Sequence, residues 1–241
     1  MSAIFIPNRN NLIIWVNALF MVFLIVFKLT DPLTVVFAYF LETIIIGLIH
    51  ILKMLIVIKY GSKPDSIASS LVKGFGQMLF FVFHYGLFVA VQSMFAFSFF
   101  ENSMPEIKNG FDLITNYRVL LHMPSMSAVL GALVFTNLTY FYTNFWANRK
   151  YLEYDPASLF FKPYVRIFVQ QFVVILAGFF FIISSEAMWA ALLLILFRLP
   201  VDLVIVSIHK NSEPFEKYVK KHTESYQHFM EVKEKYQKYT E

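Results

Sequence analysis

Gly74–Phe100 reads GFGQMLFFVFHYGLFVAVQSMFAFSFF, an apolar run with His84 near its middle and Gln77 and Gln92 in step with it. At a rise of about 1.5 Å per residue such a helix crosses the roughly 30 Å of bilayer hydrocarbon. Lipid offers an imidazole no partner at that depth, so His84 implies a protein interior that receives it. This stretch decides the fold class, because an amphipathic soluble helix would carry a polar outer face.

The rest of the chain agrees. Hydrophobic residues make up 58% of the 241, against about 45–50% in ordinary soluble domains. Charged residues are 15% and fall between the apolar runs. The net charge of +4 suits basic cytoplasmic loops. It forms no basic stripe of the kind that binds nucleic acid. With no cysteine in the chain, disulfides, thiolate metal sites, iron–sulfur clusters and cysteine nucleophiles are excluded. The first residues, MSAIFIPNRN, lack the pattern of a cleaved signal, so the first apolar run is expected to remain as a helix.

Six spans are expected: Asn11–Phe27, Leu33–Ile58, Gly74–Phe100, Ser125–Trp146, Tyr164–Ser185 and Ala187–His209. Asp31 and Pro32 read as the N-cap and first turn of the second. The fourth is the most polar (TNLTYFYTNFW), and Glu101–Leu121 is the longest break. Basic breaks follow spans two and four and the last span, which predicts both termini in the cytoplasm and residence in the inner (cytoplasmic) membrane. The fold class is all-α: a polytopic membrane helical bundle over residues 1–209 with six transmembrane helices. Residues 210–241 then form a C-terminal cytoplasmic amphipathic helix, with Phe215, Tyr218, Val219, His222, Phe229 and Tyr236 at helical spacing.

Polar residues inside the spans define the candidate site. Counted from the cytoplasmic ends, His50, His84, Gln170, Gln171 and Asp202 fall about 10–15 Å above the boundary. Lipid-facing polar groups are costly, so they are expected to turn inward and meet. Gln77, His84 and Gln92 share one face of the third span; Arg166 with Gln170, and Arg198 with Asp202, stand at i and i+4. Pro200 is expected to kink the last span. Glu42 has no neutralising neighbour at i±3 or i±4. Lys53 can snorkel to the membrane edge, which leaves Arg198 as the expected partner of Glu42.

Three motifs add a resemblance. YFLETIIIG at Tyr39–Gly47, HYGLF at His84–Phe88 and PYVRIFVQQ at Pro163–Gln171 resemble a prokaryotic multi-pass membrane family, domain of unknown function 6498. That family pairs an acidic residue in a Tyr-aromatic-x-Glu segment with a downstream His-Tyr-Gly and a later Arg-Ile. The resemblance covers spans two to six, with the tail peripheral. It implies that Glu42, His84, Tyr85, Gly86 and Arg166 are positions to watch, and it lends no activity.

The candidate ligand or proton site is therefore Glu42, His84, Tyr85, Arg166, Gln170, Gln171, Arg198 and Asp202, with His50, Gln77 and Gln92 secondary. No metal centre and no cofactor is expected: H-E-x-x-H and the E-x-x-H pairs of bundle metal sites are missing from the sequence. There is no G-x-S-x-G either. The leading function is binding or transport of a small polar or anionic ligand, or a proton, in an intramembrane cavity. An intramembrane enzyme, perhaps metal-dependent chemistry at His84 and Glu42, is one alternative. A scaffold that meets a protein partner through its C-terminal helix is the other. The lipid bilayer is a partner in each, and nucleic acid in none.

Overall fold

A computed structural model describes residues 5–8, 11–61, 67–101, 104–160, 163–164, 167–168, 172, 175–176, 179, 187–209, 216, 219–220 and 230–232. The described chain is helical: α1 (Leu12–Val26), α2 (Pro32–Tyr60), α3 (Ile67–Phe100), α4 (Leu113–Leu121), α5 (Met126–Tyr140), the short α6 (Pro156–Leu159) and α7 (Ala187–His209). A π-helical turn, Phe141–Trp146, prolongs α5.

Local chemistry sets the turns. After α1 the Lys28 amide donates to Ile25 O at 3.0 Å and the Leu29 amide to Leu24 O at 2.8 Å, with Lys28 left-handed at φ 55°. This is the Schellman pattern that satisfies the last carbonyls of a helix. Asp31 then caps α2, accepting from the Leu33 amide at 2.7 Å, with Pro32 in the first turn. The α4–α5 corner docks on this turn: Thr34 Oγ1 donates to Pro124 O at 3.2 Å and Ser125 Oγ to Leu29 O at 3.0 Å.

The hub is α2. It packs against α3, α5 and α7, while α1 packs against α7 and α5. Half of its apolar window is buried (50%), against 22% for α3. The buried stripe of α3 runs through Phe81, Tyr85, Val89, Ser93 and Phe97, at the spacing of one helix face. Phe75, Leu79, Phe83, Leu87 and Phe95 lie exposed on its other faces. Gly47 admits Tyr85: a Cβ there would collide with the ring, Tyr85 Cζ lying at 2.9 Å. The Tyr85 hydroxyl then donates to Thr43 O at 2.6 Å.

Among the described residues three helices are long and apolar enough to cross a membrane: Pro32–Tyr60, Val72–Phe100 and Ala191–Ile208. A fourth candidate is the pair of α4 with α5 and its π-helical end, bent by 94°. The six-span expectation also counts α1, whose 15 residues reach only about 22 Å at the helical rise. It counts Tyr164–Ser185 too, most of which lies outside the described residues. The break expected over Glu101–Leu121 contains α4, capped by Asp112, whose carboxylate accepts from the Thr115 amide at 3.2 Å. Pro200 does not interrupt α7, which stays helical through it.

The polar fourth span is accounted for by its threonines. Thr136, Thr139 and Thr143 each donate to the carbonyl four residues back, at 2.8 Å. Their hydroxyls are thereby satisfied within the helix itself. Most of the expected C-terminal helix lies outside the described residues; Val219 and Val232 pack with Ile208 near the end of α7.

Candidate functional site

The site grows from α2. Glu42 is fully buried, one turn after Tyr39, so both face α7. Arg198 Nη2 forms an ion pair with Glu42 Oε2. Its Nε donates to Asp202 Oδ2 at 3.0 Å, one turn along α7. The guanidinium carbon stands 4.1 Å above the Tyr39 ring, a cation–π contact strengthened by the loss of water. From α5, Asn137 Nδ2 donates to Glu42 Oε1 at 2.5 Å and to Leu133 O at 2.9 Å. Two carboxylates thus share one guanidinium.

A cavity of about 90 Å³ adjoins this cluster, bordered by His50, Lys53, Asn137, Tyr140, Asn144 and Asp202 among other residues. It lies at one end of the bundle, where α1 begins and where α2, the π-helical turn and α7 approach their ends. The π-helical turn bears on this directly. Its wider register buries Phe145 and leaves Asn144 on the cavity wall. Lys53 also borders the cavity, with Nζ 5.3 Å from the centre of the Phe145 ring.

A smaller cavity, of about 20 Å³, is bordered by Asn17, Tyr39, Thr136, Tyr140, Arg198 and Asp202. Arg198 Nη1 and Asn17 Oδ1 are buried and have no hydrogen-bond partner among the described residues. Towards the α1–α2 turn the interior becomes apolar and close-packed, with Met21, Val35, Val36, Leu133 and Leu194 all buried.

The expected single layer divides in two. Glu42, Arg198 and Asp202 gather between α2 and α7, and His50 borders the adjoining cavity with its ring 4.8 Å from that of Phe81 on α3, whereas His84 does not join them. Its ring lies on an exposed face of α3, Nδ1 2.6 Å from the Tyr164 hydroxyl and stacked on Phe80 at 5.7 Å. Tyr85, one residue on, points into the α2 contact instead. Gln77 and Gln92 lie half-buried on α3. Arg166, Gln170 and Gln171 lie outside the described residues. Among the described residues no three of His, Asp and Glu gather to hold a metal. Sequence reasoning passed over Asn137, Tyr39, Tyr140 and Asn144. Their signal was the i, i+7 spacing of Asn137 and Asn144 in the polar fourth span, read there only as polarity.

His84→Phe therefore tests position rather than chemistry. It is expected to cost about 1 kcal/mol or less, the worth of one hydrogen bond, in thermal unfolding of the purified protein. A loss several times larger places His84 in the buried network after all.

Long apolar helices around a charged, hydrogen-bonded centre define a helical membrane protein. The chain belongs to a family of unknown function, DUF6498, whose model matches residues 1–221. The match takes in α1 and the start of the tail, more than the motifs of spans two to six alone carry. No curated protein and no solved structure matches the chain.

Proposed function

We propose that the protein binds, and carries, a small polar solute or a proton in the cavity between α2, α5 and α7. The observation that supports this is the cavity itself: six polar side chains border about 90 Å³ beside a buried ion cluster. Its size restricts the ligand. A water needs about 10–15 Å³ of such space, so the cavity suits a few waters or a small polar solute. Drug-sized ligands need roughly 300–1,000 Å³. In this reading the chain makes six spans with a cytoplasmic tail. The cavity end faces the cytoplasm, since Lys59 closes α2, Lys63 and Lys73 lie between the second and third expected spans, and Arg149 and Lys150 follow the fourth.

Thermal unfolding of the full chain in detergent, with ammonium, formate, urea or acid added in turn, tests it. A ligand at 100 times its Kd stabilises by about 2.7 kcal/mol. One of these additions is expected to raise the Tm of the wild type and not that of His50→Leu or Asn144→Leu. Equal shifts in all three proteins, or no shift in any, reject the cavity as the site.

A further inference from the structure

The smaller cavity lies where α1 meets the ion cluster. It is bordered by Asn17 on α1 and by Arg198 and Asp202 on α7, with Tyr39, Thr136 and Tyr140 around them. We infer that this cavity is a water-binding site, in which one water accepts a hydrogen bond from Arg198 Nη1, donates one to Asn17 Oδ1, and so ties α1 to the charged centre. The inference concerns water alone, and it stands whether or not the larger cavity takes a solute.

Three observations carry it. The first is a donor. Arg198 is 9% exposed, and its guanidinium commits Nη2 to Glu42 and Nε to Asp202. Nη1 carries two N–H groups of its own, and it is buried with no hydrogen-bond partner among the described residues. A charged donor left in that condition inside a membrane is costly. The second is an acceptor on the facing helix. Asn17 Oδ1 is likewise buried with no partner among the described residues, in a helix, LIIWVNALFMVFLIV, that is otherwise apolar but for the indole of Trp15. The two groups do not bond each other, yet both residues border the same cavity. The third is size. A water needs about 10–15 Å³ and two to four polar partners, and about 20 Å³ is present. Thr136 offers a further partner, because its hydroxyl donates to Ala132 O at 2.8 Å and its oxygen can still accept.

The border selects water over an ion. A cation would face the guanidinium. An anion could accept from Nη1 but has no proton to give Asn17 Oδ1, and it would stand beside the Glu42 and Asp202 carboxylates that hold the same guanidinium. Lys53 borders the larger cavity and, among the described residues, not this one. Ile14, Tyr140 and Asp202 border both cavities, so the water exchanges with the outside by way of the larger one.

The experiment is solid-state NMR of the full chain in lipid vesicles, with isotope-labelled arginine, reading the magnetisation that passes from water to each guanidinium. The ring current of Tyr39, 4.1 Å from the guanidinium carbon, marks the Arg198 signal. The exposed Arg118 and Arg149 are positive controls in every sample. Arg198 Nη1 is expected to receive magnetisation from water in the wild type and in Asn17→Ala, which leaves room for the molecule, and to lose it in Asn17→Leu, which fills the cavity. Asn17→Met fills the same space and serves if Asn17→Leu folds poorly. Transfer that is missing in the wild type, or undiminished in the filled variants, overturns the inference. So does an Arg198 signal that shifts with chloride concentration, because the occupant is then an anion. The solute series above reads the larger cavity separately, and its outcome leaves this one untouched.

Discussion

Arg198→Met is expected to cost the folded protein about 3–5 kcal/mol, the penalty for breaking a buried ion pair by removing one partner. The substitution takes from the sealed Glu42 the guanidinium that faces it, and leaves a second carboxylate, Asp202, nearby without the guanidinium between them. It also uncovers the Tyr39 ring that the guanidinium now caps. The comparison with Glu42→Gln separates these effects. That variant keeps the Arg198–Asp202 bond and a neutral amide in place of the carboxylate, so it should lose less. In the double variant Glu42→Gln with Arg198→Met, the loss should fall short of the sum of the singles, because neither partner is left charged alone. Coupled neighbours depart from additivity by about 0.5–3 kcal/mol. Thermal unfolding in detergent of the four proteins reads the cycle, and strict additivity means that the pair contributes nothing specific.

The second large effect is at Gly47. A helix-interior glycine replaced by alanine normally gains about 1 kcal/mol of helix propensity. Here the new Cβ enters the Tyr85 ring. That ring cannot swing aside cheaply, because its hydroxyl is held by Thr43 O at 2.6 Å and it stacks on Phe81 at 4.9 Å. Overpacking of this kind costs about 1–3 kcal/mol, and breaking the hydroxyl bond adds about 1 kcal/mol. Gly47→Ala should therefore destabilise despite propensity, and Gly47→Val should do so more strongly. Adding Tyr85→Ala to Gly47→Val is expected to recover part of the loss. Failure to recover any of it locates the damage in α2 rather than in its contact with α3.

How much of this was written in the chain varies by kind of information. Depth was legible, because apolar length and the rise of a helix fix it. Azimuth was not. His84 and Glu42 are both deep in apolar runs, yet one lies on an exposed face of α3 and the other is enclosed. Gln77, His84 and Gln92 do share a side of their helix, but the buried side is the neighbouring stripe through Phe81 and Tyr85. The run that gave the class of protein is a peripheral helix, only 22% of its apolar window buried: a surface that is oily all round suits lipid as well as protein. The hub was marked instead by Glu42, Gly47 and His50, where small and polar residues interrupt α2. The i, i+4 pair of Arg198 and Asp202 was readable from spacing alone. Asn137 is 95 residues from Glu42, and no local pattern announces a partner at that separation.

The dry half of the bundle has its own consequence. Met21, Val35, Val36, Leu133 and Leu194 close together between the cavity and the α1–α2 turn, so among the described residues the polar groups stop there. In the proposed reading the cavity is then a cul-de-sac, entered from one end. Passage onward would require α5 to part from α2 along that seam, against both these apolar contacts and the hydrogen bonds of Thr34 and Ser125 at its end.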